Sequence, residues 1–164
     1  KALRQLNLKA SPKVSLVLVS SRSIFSERFH RLAYDLDLAK YVTFTGFLPD
    51  NELVRLYKQA VALVHPSLSE GFGLTGLEAM ATGLPVLAST AGSLPEVYSE
   101  AALYFDPHKV DDLTNKMKQV LKNPKLRQTL IAAGKKQIAK YSWRTMAQQT
   151  IKAYDEVGKL VTSS

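Results

Sequence analysis

The chain has 164 residues, of which 46% are hydrophobic and 22% are charged, a balance that indicates one soluble globular domain with a sizeable core. No apolar run approaches the roughly 20 residues that a transmembrane helix needs. The chain contains no cysteine, which excludes disulfides and thiolate metal sites and is compatible with a reducing, cytoplasmic setting. The opening residues KALRQLNLKA predict an amphipathic helix and not a signal peptide, because they contain no uninterrupted apolar region.

The net charge of +8 is carried entirely by the last third of the chain. Residues 109–164 contain 12 basic and 4 acidic residues, whereas residues 1–108 contain 10 of each. This excess allows two interpretations. One is attraction to an anionic membrane surface or a polyanionic partner, and the second is a solvated, lysine-rich helix face. The second is favoured because the basic residues are spread over three predicted helices. A nucleic-acid role is the least favoured, and no nucleic-acid partner is predicted, because aromatic residues do not interleave with the basic ones.

Five short apolar runs predict buried strands. They run almost continuously instead of alternating with polar residues, which is typical of parallel strands covered on both faces. The predicted strands are Val14–Ser20, Tyr41–Gly46, Ala60–His65, Pro85–Ser89 and Ala102–Phe105.

Amphipathic segments separate these strands. An apolar stripe over residues 25–36 predicts one helix, and Asp50 is predicted to cap the next. A third helix is predicted over Gly73–Ala81, closed by Gly83. After the last strand the pattern is wholly helical, and Ser142 is predicted to cap the final helix. The order predicts an α/β fold, a Rossmann-like open parallel sheet with helices on both faces, followed by a helical C-terminal segment.

The segment SEGFGLTGLEAM, at residues 69–80, joins the third predicted strand to the third predicted helix. In open parallel sheets, ligands bind at such loops, beyond the carboxyl ends of the strands. Gly71 and Gly73 permit close backbone approach, and the N–H groups around Leu74 and Thr75 begin a helix whose dipole favours an anion. This combination indicates a phosphate site.

Two glutamates in the same segment, Glu70 and Glu78, suggest what accompanies the phosphate. A carboxylate beside a bare phosphate would repel it, whereas a carboxylate one sugar away would accept hydrogen bonds from sugar hydroxyls. The pair therefore suits a nucleotide sugar, with a sugar on each side of a diphosphate. Equally, the glycines could serve only the turn, and an acid in the first turns of a helix is favoured by the dipole. The segment matches neither the GxGxxG fingerprint nor the P-loop.

The run HPSLSEGFGLTGLEAMATGLPVLASTAGSLPEV resembles the signature region of the retaining GT-B glycosyltransferases, the group 1 or family-four type. The hallmark of that family is a Glu-x7-Glu pair. Matches on either side, YVTFTGFLPDNELVRLYKQA and AALYFDP, extend the resemblance over nearly the whole chain. In that family this is the C-terminal domain, which binds the nucleotide-sugar donor, while an N-terminal domain carries the acceptor.

The resemblance implies a role for each part of the segment. Glu78 is expected to bind the ribose hydroxyls, and Glu70, the candidate catalytic residue, to contact hydroxyls of the donor sugar. The loop Thr90–Ser93 is expected to face the same crevice. No metal or other cofactor is implied, because the family is metal-independent. The donor-binding residues implied by the resemblance, including a stretch after the second strand that would meet the base, are Gly46, Phe47, Leu48, Gly71, Phe72, Gly73, Leu74, Thr75 and Glu78.

The chain departs from the family pattern in two places. Ser21 and Arg22 stand where the family usually has a glycine-rich turn, and we expect Arg22 to be a surface residue. The family's first strand, followed by a loop whose Arg and Lys clamp the diphosphate, has no counterpart here. We therefore expect a truncated half of a larger enzyme that binds donor weakly and catalyses little. Residues 1–141 would form the donor-binding domain, and residues 142–164 a helix returning towards the absent N-terminal domain.

The resemblance predicts transfer of a hexose from a nucleoside diphosphate sugar to a sugar or lipid-linked acceptor, in the cytoplasm or at the inner face of the membrane. Alternatives are a non-catalytic nucleotide-binding module, half of a split enzyme, and a glycoside hydrolase using Glu70 and Glu78. Two further residues have structural interpretations. We expect His65 to hydrogen-bond to backbone and Trp143 to lie in the core, with part of the last helix's apolar stripe exposed.

Overall fold

The computed structural model describes residues 1–9, 11–20 and 24–162 of the chain, so the predictions for Ser21 and Arg22 lie outside the described residues. Five strands form where the apolar runs predict them, and each pairing between them is parallel. The strands, numbered β1 to β5, are Leu16–Val19, Val42–Gly46, Leu63–His65, Val86–Ser89 and Ala102–Phe105.

Helices occupy the segments between and after these strands. Three consecutive helices follow β5, as predicted, and the last is the longest described. The helices, numbered α1 to α8, are Ala2–Lys9, Ile24–Asp35, Asp50–Gln59, Leu74–Ala81, Leu94–Tyr98, Val110–Lys122, Pro124–Ile138 and Trp143–Thr162.

Strand β4 is fully buried and separates two apolar clusters. Its Val86 and Ala88 belong to one cluster, together with residues of α3, α4 and α5. Its Leu87 belongs to the other, with Val120 of α6 and Leu130 of α7. Because successive side chains of a strand point to opposite faces, helices cover both faces of this sheet. This confirms the predicted α/β class and explains why the strand is apolar throughout.

The strands form two groups. In one, β1 pairs with β2, and in the other β4 pairs with both β3 and β5. No pairing joins β1 to β3 among the described residues. Each of these two strands therefore has one edge without a partner strand.

Two local predictions are wrong. Asp50 is the first residue of α3 and not its cap; Pro49 occupies the N-cap, and no side chain caps the helix. Trp143 is not in the core, since it begins α8 with 70% of its surface exposed. Other large apolar residues of α8 are also more than half exposed, namely Met146, Ile151, Tyr154 and Val157. Among the helices of the described ranges, none combines the length and hydropathy needed to cross a membrane.

Candidate functional site

The candidate site lies in the loop that leaves β3 and enters α4. The helix begins at Leu74, one residue later than predicted, and Gly73 is its N-cap. Gly73 has φ of 96°, a left-handed conformation that favours glycine, and a Cβ there would lie 2.6 Å from both Leu94 and the Tyr98 hydroxyl. Both backbone conformation and crowding therefore demand glycine at this position.

The fully buried side chain of Tyr98, at the end of α5, fixes the start of α4. Its hydroxyl donates to the Gly73 carbonyl oxygen at 2.6 Å and accepts from the Gly76 N–H at 3.2 Å. The same oxygen lies 3.0 Å from His65 Nδ1, at the end of β3. Burial raises the pKa of the Tyr98 phenol to about 12, so the hydroxyl keeps its proton at neutral pH. One hydroxyl thus joins three elements at the loop.

The glycines of the loop serve different purposes. A Cβ at Gly76 would overlap the phenol of Tyr98, so this glycine makes room for a protein side chain. A Cβ at Gly71 would meet no atom within 4 Å. The expectation that Gly71 permits close approach of a ligand stays a prediction. The requirement at Gly76 has a structural cause that sequence reasoning missed.

Glu70 is held by neighbouring residues. Its Oε2 lies 3.1 Å from His65 Nε2 and accepts from the Ser67 hydroxyl at 3.4 Å. Its carbonyl oxygen accepts from the Ser93 hydroxyl at 3.0 Å, which anchors the loop after β4 to the loop after β3. Both ring nitrogens of His65 therefore face side chains, of Glu70 and Tyr98. The prediction that His65 bonds to backbone is wrong.

Glu78 contrasts with Glu70. It lies on the exposed side of α4 and, within the described residues, forms no hydrogen bond or ion pair. The N–H groups of Leu74 and Thr75 precede the first intrahelical donors, and no described residue accepts from them. Burial of Tyr57 raises its phenol pKa, and the nearby carboxylate of Glu78 adds to that rise. Relative to the residues that the structure describes, the start of α4 thus presents unpaired donors and, one turn further along, an unpaired carboxylate.

The other predicted residues are placed as follows. Phe72 packs edge-on against Tyr141, with ring centroids 5.5 Å apart, so its ring is held by protein. Gly46 ends β2, Phe47 is 77% exposed and Leu48 is half-buried. No described hydrogen bond or ring contact joins these three residues to the loop that carries Glu70. The residues from Glu70 to Glu78 therefore form one continuous segment after β3. The predicted base-binding stretch follows β2, which belongs to the other group of strands.

Sequence reasoning missed Tyr98, and it assigned no contact within the loop Thr90–Ser93, where the Ser93 hydroxyl donates to the Glu70 carbonyl oxygen. The signal for Tyr98 was modest: a tyrosine in the apolar segment LPEVY, whose hydroxyl needs a partner if the residue is buried.

A glycine-rich loop at the end of a parallel strand, followed by helix N–H groups that no described residue accepts from, is an arrangement that suits a phosphorylated ligand. Comparison with known proteins is more specific. The profile of the family described as "Glycosyl transferases group 1" matches residues 1–137. The O-antigen chain mannosyltransferase B of Escherichia coli is 41% identical over 114 residues, which cover 70% of this chain and 30% of that protein.

Solved structures agree with this match. The C-terminal domain of the group 1 glycosyl transferase LpcC from Francisella tularensis superposes with a TM-score of 0.71 at 25% identity, covering 85% of this chain and 75% of that chain. Anabaena Alr3699/HepE, solved in complex with UDP, has the same fold, with a TM-score of 0.81 at 22% identity over 94% of this chain and 44% of that chain.

The chain belongs to the group 1 glycosyl transferases and has the fold of their C-terminal domain. It spans less than half the length of the curated relatives it matches, because the matched regions cover between 15% and 40% of the first five.

We expect Gly76→Ala to lower the free energy of unfolding by about 1–3 kcal/mol, because the added methyl would force the Tyr98 ring out of place. Urea unfolding followed by circular dichroism measures the change. Gly71→Ala is the matched control and should leave stability nearly unchanged, since its Cβ faces open space. Equal losses in the two variants would contradict the role assigned to Tyr98.

A second prediction concerns alkaline pH. Burial raises the pKa of both Tyr98 and Tyr104 to about 12, above the value of about 10 for an unfolded tyrosine. The stability that these phenols contribute is therefore complete below pH 10 and is lost as pH rises through 10 to 12. Melting temperature measured from pH 8 to 11.5 should fall above pH 10. In Tyr98→Phe the starting stability should be lower and this fall shallower, and an unchanged slope would count against the assignment.

Proposed function

We propose that the chain is the donor-binding part of a retaining hexosyltransferase that uses a nucleoside diphosphate sugar. The observation that carries the proposal is that the N–H groups of Leu74 and Thr75 and, one turn along the same helix, the carboxylate of Glu78 have no partner among the described residues. The N–H groups and helix dipole suit the diphosphate, and the carboxylate suits the vicinal hydroxyls of the ribose.

Glu70 has the complementary role in this proposal. Its carboxylate is oriented by His65 and Ser67, which fixes where it can accept hydrogen bonds from the donor sugar. Gly71, Phe72 and Gly73 form the backbone between the two sugars. Gly46, Phe47 and Leu48 supply backbone for the base.

The comparisons support the class of reaction. The E. coli relative is named as an O-antigen chain mannosyltransferase, and HepE, of the same fold, has been solved with UDP. We infer a sugar or lipid-linked acceptor, bound by a part of the enzyme outside residues 1–164, and a place on the cytoplasmic side of the membrane. By itself the chain should bind donor and turn it over poorly.

A second candidate function is a nucleotide-binding half of a split enzyme. The unpartnered edges of β1 and β3 favour it, since a second polypeptide could supply what lies between them. Co-purification with a defined second chain would distinguish it from a single-chain transferase.

The experiment that tests the proposal is a titration of UDP-, GDP- and ADP-sugars by ligand-observed NMR. We expect saturable binding of one nucleotide class, weakened roughly ten- to hundredfold by Glu78→Gln, because a hydrogen bond to a charged group contributes about 1.5–3 kcal/mol. Glu70→Gln should weaken binding of the nucleotide sugar but not of the matching nucleoside diphosphate, which lacks the donor sugar.

Glu96→Gln is the control, since Glu96 is an exposed acid on α5 outside the proposed site. It should bind like the unaltered chain. Saturable binding that neither Glu70→Gln nor Glu78→Gln alters would place the nucleotide elsewhere. Failure of every donor to bind would refute the proposed function.

A further inference from the structure

The main chain of Glu70 is fixed by the loop that follows β4. The Ser93 hydroxyl donates to the Glu70 carbonyl oxygen at 3.0 Å, and the Ser93 N–H donates to the same oxygen at 3.4 Å. Gly92 has φ of 60°, and a Cβ there would lie 2.9 Å from both the nitrogen and the carbonyl oxygen of Glu70. Because the backbone is held this closely, the direction of the Glu70 carboxylate depends on its side-chain torsions.

The imidazole of His65 restricts those torsions by binding one carboxylate oxygen. Glu70 Oε2 lies 3.1 Å from His65 Nε2, and the Ser67 hydroxyl donates to the same oxygen at 3.4 Å. A carboxylate accepts hydrogen bonds and donates none, so both contacts use lone pairs of Oε2. The other oxygen, Oε1, accepts from no described residue. One oxygen of Glu70 is therefore engaged by protein, and the second is left for a ligand.

The ring of His65 is itself held on its other side. Its side chain is 14% exposed, whereas that of Glu70 is 32% exposed. His65 Nδ1 lies 3.0 Å from the hydroxyl of Tyr98, which is fully buried and donates to the Gly73 carbonyl oxygen. The backbone of His65 ends β3, which pairs with the buried strand β4. A continuous set of contacts therefore runs from the core through His65 to Glu70.

We propose that His65 is a positioning residue for selection of the donor sugar: by engaging Oε2 of Glu70, it leaves Oε1 to accept from a single hydroxyl of the donor hexose. This inference rests on the proposed function, in which Glu70 faces that sugar. A carboxylate that turned freely could use both oxygens and adapt to several arrangements of hydroxyls. Held by His65, it selects nucleoside diphosphate hexoses that carry a hydroxyl at one position of the ring and in one orientation.

Two substitutions of His65 separate its two ring contacts. The side-chain amide of Gln reaches the position of Nε2, whereas that of Asn reaches the position of Nδ1. His65→Gln should therefore keep a donor to Glu70. His65→Asn should keep a polar partner for Tyr98 and lose the bond to Glu70. His108→Asn is the control, since His108 is an exposed histidine after β5.

Affinity is measured by ligand-observed NMR with three kinds of probe. They are the UDP-, GDP- or ADP-hexose that binds in the titration above, the matching nucleoside diphosphate, and the monodeoxy forms of that hexose, each lacking one hydroxyl. We expect His65→Asn to weaken binding of the nucleotide hexose about tenfold, because a loosened Glu70 loses rotamer freedom on binding. Affinity for the nucleoside diphosphate should not change. His65→Gln should remain close to the unaltered chain, and His108→Asn should equal it.

The monodeoxy forms test the single contact. In the unaltered chain, loss of one hydroxyl should weaken binding about tenfold or more, and Glu70→Gln should remove most of that difference. In His65→Asn the difference between the monodeoxy forms should shrink. Two or more positions that depend equally on Glu70 would overturn the inference.

A double substitution tests whether His65 acts through Glu70. In a chain that already carries Glu70→Gln, adding His65→Asn should cause little further loss of affinity for the nucleotide hexose. A full further loss would overturn the inference, as would an equal loss for nucleoside diphosphate and nucleotide hexose in His65→Asn. Both results would leave the proposed function standing. Failure of every nucleotide hexose to bind the unaltered chain would overturn the proposed function and this inference together.

A measurement without ligand applies if the His65 variants fold poorly. Nitrogen NMR of the histidine side chains reports the surroundings of each ring nitrogen. Glu70→Gln should shift the Nε2 resonance of His65 and leave the resonances of His108 unchanged, because only His65 contacts that carboxylate. An unshifted His65 resonance would overturn the inference.

Discussion

The hydroxyl group of Tyr98 holds in place three elements that the candidate site needs at fixed positions. It bonds to the carbonyl of Gly73 and the N–H of Gly76 at the start of α4, and it contacts His65 at the end of β3. A buried hydroxyl with these partners costs little to bury, whereas each partner would be costly if left unpaired. Two glycines of the SEGFGLTGLEAM segment are consequences of this contact, because the phenol occupies the space that their side chains would take.

The same network distinguishes the two glutamates. Through His65, the Tyr98 hydroxyl is connected to Glu70, whose carboxylate has two side-chain partners, while Glu78 has none among the described residues. The single hydroxyl proton of Tyr98 makes its shortest contact with the Gly73 carbonyl, at 2.6 Å. When that proton is so used, the Tyr98 oxygen is the acceptor in its contact with His65 Nδ1. The carboxylate of Glu70 is thus oriented by its neighbours, whereas that of Glu78 has no partner among the described residues.

The sequence predicted those parts of the fold whose cause is local. Parallel strands covered on both faces must be apolar along their length, so the continuous apolar runs predicted β4 and β5. The errors at His65 and Trp143 concern contacts between distant residues, whereas the error at Asp50 is local. His65 and Tyr98 are 33 positions apart, and no pattern in either segment predicts the contact between their side chains. Trp143 was expected in the core because it is apolar, but the described part of the chain offers no partner that buries it. Asp50 suits a cap by residue type, yet Pro49 takes that position.

The two predicted parts of the candidate site lie on different groups of strands, on either side of the space between β1 and β3. Thr75 and Glu78 belong to α4, whose inner face is held by Tyr98 and the β4 cluster, but their outer side borders the space between β1 and β3. The predicted base-binding stretch at Gly46–Leu48 follows β2, across that same space. Among the described residues, no strand pairing joins β1 and β2 to the other three strands, so no pairing sets the distance between the predicted base-binding stretch and the loop that carries Glu70. Packing of helices and loops sets that distance, whereas hydrogen bonds of Tyr98 and Ser93 fix the loop from Glu70 to Glu78 internally.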